Sequence, residues 1–319
     1  MNRTGIEYLD FTSNPIVGCD MSLPCAERCW ARRMARRLRS AGIKQYQDVV
    51  DREGNWTGKT AFNQTALEEL LHRRQPAVIG LGFMGDVFHE SVPDEWLDRM
   101  FAVMALCPQH RFIMLTKRAQ RMKVYVGNVA SNRLSDWADL LTGPAAITAY
   151  AKALGTYRWP LPNLILGVSC EDQERADEQI PDLLATPAAM RFVSLEPLLG
   201  EVCLRDYLSD PEPCDGCGGT HMLSSEQCDR EPDMPMQFRG LDWVIIGGES
   251  GPGARPMHRE WVRSIRDQCV AAGVPFLFKQ WGEWMPVNLH GISHQRVGKK
   301  GAGRMLDGKL WDQRPEGWG

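Results

Sequence analysis

The sequence predicts an α/β fold built on a parallel sheet. Apolar runs of strand length recur at residues 77–83, 111–116, 164–169, 191–195, 243–247 and 274–279. Most of these runs are continuous rather than alternating, as in strands buried on both faces. Helical patterns lie between several of them, at 93–107, 172–185 and 259–272, and Gly273 follows the last as a stop signal. Strand alternating with helix gives βαβ units. A first strand near residues 8–15 brings the count to about seven. This rhythm is common to a barrel and to a doubly wound sheet.

The bulk properties narrow the class. The chain has 319 residues, 43% hydrophobic and 24% charged, enough for one large domain with insertions. A net charge of −3 gives no global basic field, so a nucleic-acid contact has to be a local patch. Residues 1–10 are polar and lack the apolar core of a signal peptide. No run reaches the length of a membrane span. Ten cysteines in such a chain read as metal ligands or core residues of a reducing, cytoplasmic compartment.

In chain order, the first landmark is a cysteine loop. Cys19, Cys25 and Cys29 fall within eleven residues, with five residues between the first pair and three between the second. Gly18 and Pro24 make the stretch a loop, which can turn three thiolates toward one centre. Three thiolates hold three irons of a [4Fe–4S] cluster and leave the fourth iron open. S-adenosylmethionine is the small molecule that chelates such an iron. The alternatives are zinc, which prefers paired Cys-x₂₋₄-Cys units with a fourth ligand, and reduced thiols packed as small apolar groups.

Residues 30–40 follow with helical period and propensity, and Gly42 is a stop. Arg32, Arg33, Arg36, Arg37 and Arg39 wrap this helix, either as a solvated face or as a phosphate-contacting surface. Residues 43–65 read as a loop and 65–73 as a short helix. Residues 128–162 are a helical insertion containing Trp137, Tyr150, Tyr157 and Trp159. Residues 209–239 are a Cys-rich insertion, and 298–319 a Gly-rich, basic tail that is mobile unless it folds over the site.

Several stretches together resemble a known family. They are Asn14-Pro15-Ile16-Val17-Gly18-Cys19, then Cys25, then Cys29-Trp30-Ala31; Met84-Gly85-Asp86-Val87-Phe88-His89-Glu90; Leu115-Thr116-Lys117-Arg118; Leu166-Gly167-Val168-Ser169; Ser194-Leu195-Glu196-Pro197-Leu198; Gly247-Gly248-Glu249-Ser250-Gly251; and Phe278-Lys279-Gln280-Trp281-Gly282. The set is similar to a phage and bacterial three-cysteine family of the radical SAM superfamily, linked to hypermodification of DNA bases. That family usually places six and then two residues between its cysteines. Here the overall span is kept and the middle cysteine comes one place earlier.

The resemblance implies one radical SAM domain over 1–319, folded as a partial (β/α)₆ barrel. It implies a [4Fe–4S] cluster on Cys19, Cys25 and Cys29, with S-adenosylmethionine as cofactor. It implies a reaction that rearranges a hypermodified thymine base in phage DNA, in the host cytoplasm if the chain is phage-encoded, with an electron donor such as flavodoxin or ferredoxin. A radical SAM repair or tRNA-modification enzyme, and a metal-stabilised nucleic-acid-binding protein without turnover, are the other readings.

Ligands in parallel α/β folds sit at the C-terminal ends of strands. The cofactor candidates there are Met84, Gly85, Asp86, Thr116, Lys117, Ser169 and Glu196. Asp86 can accept from an ammonium and Lys117 suits a carboxylate, while Ser169 suits ribose and Glu196 ribose or substrate. Asp86 and Ser169 equally suit helix caps, and Lys117 and Arg118 surface positions. The loop Gly247–Gly251 lacks the residues of a P-loop, so its glycines read as room for close backbone approach. Glu249, Lys279 and Gln280 are the candidate catalytic residues. Arg255 and Trp281 join Arg32, Arg33, Arg36 and Arg37 as candidates for a substrate that is a flipped or single-stranded base. Trp281 and Trp284 equally read as core.

A second metal candidate lies in the Cys-rich insertion. Cys214, Cys217 and Cys228 with His221 form a set suited to structural zinc, with Cys203 as an alternative to His221. Free thiols in a loop are the competing reading. Cys107, Cys170 and Cys269 read as packing residues.

Overall fold

The computed structural model describes residues 1–128, 159–208, 240–287 and 293–318. The fold is α/β with a mostly parallel sheet. The chain divides into two compact units, one of residues 1–168 and 186–190, the other of 169–185 and 191–319.

In the first unit, β1 (Asn2–Arg3) runs antiparallel to β2 (Phe11–Ser13). Next to β2, in parallel order, come β5 (Val78–Leu81), β6 (Arg111–Thr116) and β7 (Leu164–Ser169, its last residue in the other unit). A small antiparallel pair, β3 (Ile16–Val17) and β4 (Ala61–Phe62), carries the chain into the cysteine loop. β6 and β7 coincide with the predicted runs because Phe112, Ile113, Leu164 and Ile165 are all buried. The helix Asp94–Leu106 has Leu97, Met100, Phe101 and Met104 on its buried side. Helix Gln64–His72 starts where the Asn63 side chain accepts from the Ala66 amide at 3.1 Å.

In the second unit, β8 (Met190–Leu195, its first residue in the other unit), β9 (Trp243–Gly247) and β10 (Phe276–Gln280) run parallel. The helix Gln173–Leu184 is capped by Asp172, and Arg259–Ala272 ends at Gly273 in the left-handed region, φ 69°.

The tail of residues 298–319 is described as far as 318. It carries a helix, Gly298–Ala302, and a hairpin of Met305–Leu306 with Lys309–Leu310. The Phe278 amide donates to the Trp311 carbonyl at 2.8 Å, and the Trp243 indole to the Gln313 carbonyl at 2.9 Å. Backbone acceptors on the tail thus complete the edge of the sheet at β10. Most of the 128–162 insertion and all of the 209–239 insertion, with Cys214, Cys217, His221 and Cys228, lie outside the described residues. Among the described residues no helix is long and apolar enough to cross a membrane.

Candidate functional site: the three-cysteine loop

The loop grows out of β3 and is latched to the chain just after β5 by backbone alone. Gly18 and Gly85 form a parallel bridge. The Gly18 amide donates to the Met84 carbonyl at 3.3 Å, and the Asp86 amide to the Gly18 carbonyl at 3.1 Å. The approach is so close that a Cβ on Gly85 would lie 2.4 Å from the Gly18 oxygen. Gly18 itself has φ +107°, where a side chain is strained. These two glycines therefore decide where Cys19 begins.

The remaining cysteines follow from local structure. Cys25 sits in the 3₁₀ turn Pro24–Arg28. Cys29 is the N-cap of helix Trp30–Ser40, its sulfur accepting from the Arg32 amide at 3.5 Å. Ala31 and Ala35 bury this helix against Tyr46, Val49, Val50 and Trp56. Cys19 and Cys29 pack at the edge of the same cluster. None of the three sulfurs is in a disulfide, and all three residues are half-buried. Burial and the Asp86 carboxylate push the Cys19 thiol up to about 12, against the opposing pull of Arg118. A metal bound there has to displace that proton.

Arg118 organises the charges around the loop. It is 8% exposed, not the surface cation that its sequence context allows. Its Nε donates to Glu90 at 2.9 Å, and one terminal nitrogen to Asp20 at 2.8 Å. The other terminal nitrogen reaches Asp86 at 3.3 Å and the Cys19 sulfur at 3.8 Å. Burial works against the guanidinium's charge, but Asp86, Cys19 and Glu90 more than restore it, so its pKa is raised. Asp20 also accepts from Ser22 and from His89 Nε2, the latter at 2.8 Å. The Ser91 amide donates to His89 Nδ1 at 3.1 Å, which places the proton of a neutral His89 on Nε2, toward Asp20. Burial opposes the Asp20 charge, yet Ser22, His89 and Arg118 together hold its carboxyl below the usual range.

Asp20, His89 and Glu90 present ligand atoms within 4.8 Å of one another, the spacing of a cation site. The Arg118 guanidinium already bonds two of these three, so a cation is built in.

The predicted cofactor residues fall into two groups. In the first unit, Asp86 accepts from the Phe88 amide at 3.0 Å, the Thr116 hydroxyl at 2.7 Å and the Lys117 amide at 3.0 Å, besides Arg118. Its carboxylate ties the segment after β5 to the end of β6. Met84 is buried in the loop's own core. In the second unit, Lys279 Nζ lies 2.8 Å from both Glu196 oxygens. Gln280 donates to the Gly248 carbonyl at 2.8 Å and reaches Glu196 at 3.5 Å. The Ser169 hydroxyl donates to the Glu196 carbonyl at 3.4 Å. A Cβ on Gly247 would meet Glu196 at 3.0 Å, so the glycine makes room for that carboxylate.

Two predicted substrate residues are otherwise engaged. Arg255 forms a two-pronged pair with Glu249, 2.9 Å on each arm, which closes the glycine-rich loop on itself. Trp281 is 4% exposed, edge-on against Phe278, with its indole donating to the Met305 carbonyl, as in the core reading of this residue. Arg32, Arg33, Arg36 and Arg37 all stand on the helix beside Cys29, with Arg36 and Arg37 exposed.

Arg118, His89, Asp20 and Glu90 were not among the predicted site residues. The signal was present, since His89, Glu90 and Arg118 end two of the motifs and Asp20 follows Cys19. Their convergence depends on pairings between distant segments.

Over residues 3–315 the chain matches the family described as Protein of unknown function (DUF5131), and it belongs to that family. No curated protein and no solved structure matches it.

Proposed function

We propose that this DUF5131 chain is a radical S-adenosylmethionine enzyme, folded as a partial (β/α)₆ barrel, that rearranges a hypermodified thymine base in phage DNA. The observation that carries the reading is the loop itself. Three half-buried cysteines outside any disulfide share one loop, latched by a parallel backbone bridge between Gly18 and Gly85, with a buried arginine donating to the first. That donor set fits a cluster with three protein ligands and one open iron.

Cys19, Cys25 and Cys29 would hold the [4Fe–4S] cluster. The chemistry it supplies when bound is one-electron cleavage of S-adenosylmethionine, giving a 5′-deoxyadenosyl radical that takes a hydrogen atom from the substrate. The chain's own residues have narrower tasks. Gly18 and Gly85 fix the loop, and Arg118 offsets thiolate charge next to Cys19. Asp86 and Thr116 hold the Lys117 segment in place, and Lys117 is the candidate for the methionine carboxylate. In the second unit, Ser169 and Glu196 are candidates for ribose. Lys279 and Gln280 are candidates for the reacting base, with Glu249 positioning Arg255. An electron donor such as flavodoxin or ferredoxin, zinc on Cys214, Cys217, Cys228 and His221, and a host-cytoplasmic setting complete the proposal.

Anaerobic reconstitution with iron and sulfide tests it. About four irons should bind per chain, and Cys25→Ala should lose them. Reduced protein should then release 5′-deoxyadenosine from S-adenosylmethionine, and nucleoside mass spectrometry of treated DNA should reveal the product. A protein that takes up zinc and no iron under these conditions would falsify the reading and leave a metal-stabilised binding protein in its place.

A further inference from the structure

The helix after Cys29 carries the four arginines read from the sequence as substrate candidates, and beside them an exposed aromatic with no role assigned so far. Residues 30–40 contain five arginines and no acidic residue, in a chain of net charge −3. Among the described residues, no carboxylate pairs with Arg32, Arg36, Arg37 or Arg39. Arg32 bonds the Asn55 side chain and the Glu27 carbonyl, and Arg39 the Gln47 carbonyl. Neutral acceptors orient those two guanidiniums without cancelling their charge.

Beside them is exposed apolar surface. Trp30 is 52% exposed, the one aromatic among the large apolar side chains exposed in the described residues. Met34 follows one turn later, exposed to 38%, and Met21 stands at the Arg32 guanidinium, its sulfur 3.6 Å away. Trp30, Arg33, Met34 and Arg37 share one helical face by their spacing. The opposite side, Ala31 and Ala35, is the buried one.

We propose that this face is a docking platform for single-stranded nucleic acid, with Trp30 stacking on a base, and Arg37 on the same face and the exposed Arg36 beside it on flanking phosphates. Uncancelled cations call for a polyanion, and an exposed indole calls for a flat partner with a free face. Only a single strand offers both, because the base faces of a duplex are covered by their neighbours. The inference does not depend on iron at the cysteines, and it moves base contact away from Trp281.

Fluorescence anisotropy of the full chain with labelled (dT)₁₅ tests it, with (rU)₁₅, a duplex of equal length and poly-glutamate as competitors. The wild type should prefer either single strand to the duplex and to poly-glutamate. Trp30→Ala should weaken binding about tenfold with an unchanged salt slope, and Trp30→Phe should retain most of the affinity. Arg36→Ala with Arg37→Ala should flatten the slope by about 0.7 for each phosphate that is no longer neutralised. Circular dichroism checks that each variant is folded. Equal binding by wild type and Trp30→Ala overturns the platform, and so does poly-glutamate competing as well as (dT)₁₅, which points to an acidic protein partner. Measuring apo and iron-reconstituted protein in parallel separates this outcome from failure of the radical reading.

Discussion

Arg118 donates to the sulfur of Cys19 across 3.8 Å, joining the first residue of the cysteine loop to a cation just beyond the end of β6, ninety-nine positions away. The same guanidinium bonds Asp20, Asp86 and Glu90. The loop is therefore held by backbone on one side and by a charged fork on the other.

Removing the fork should be costly. Arg118→Gln leaves Asp86 buried and Asp20 partly buried without their cation, and breaking such a pair from one side costs about 3–5 kcal/mol. Arg118→Lys keeps the charge and loses the planar geometry, so it should recover only part of the loss. Urea unfolding midpoints read both. A wild-type midpoint in Arg118→Gln would show that the network is not structural.

The latch has its own prediction. Gly85→Ala drives a methyl into the Gly18 backbone at 2.4–2.5 Å, and no flexible atom is there to give way. The loop should detach, with lower stability and faster labelling of Cys19, Cys25 and Cys29 by a thiol reagent. Gly5→Ala is the control, because nothing lies within 4 Å of a Cβ there. Its effect should stay within about 0.5 kcal/mol.

In the second unit, Glu196 and Lys279 should behave as one coupled element. Each single change to Ala should destabilise, and the double mutant should lose less than the sum, by about 0.5–3 kcal/mol of interaction. Additive losses would mean that the pair contributes no specific interaction.

The tail should be released by acid. Asp307 accepts from Arg263 at 3.0 Å and Arg266 at 2.7 Å, which tie the hairpin to helix Arg259–Ala272. Hydrogen bonds from Arg263 and Arg266 outweigh burial and lower the Asp307 pKa. A depressed carboxylate contributes stability above its ordinary value of 3.8, and that stability is lost as pH falls through the folded value. Proteolysis of the tail should therefore rise below about pH 4 in the wild type. Asp307→Asn should be susceptible already at pH 7, with a weaker pH dependence.

The order of the elements and the grouping of three cysteines in one loop were legible in the sequence alone. Runs such as 111–116, 164–169 and 243–247 became strands at their predicted bounds because continuous apolar residues have one low-energy fate in a large α/β chain. Helices Trp30–Ser40 and Arg259–Ala272 likewise kept their bounds, set by period and stop signals that act within a few residues. Three cysteines around Gly18 and Pro24 were legible for the same local reason.

Which charges meet and which aromatics are open emerged only in the folded chain. Arg118 and Lys117 are neighbours in sequence, yet the Arg118 guanidinium is buried among Asp20, Asp86 and Glu90. Glu249 and Arg255 pair with each other, and Trp281 is in the core while Trp30 is exposed. No local rule separates these cases. Burial and ion pairing are set by which distant segments the sheet register brings together, and a side chain's role follows from the neighbours it acquires there.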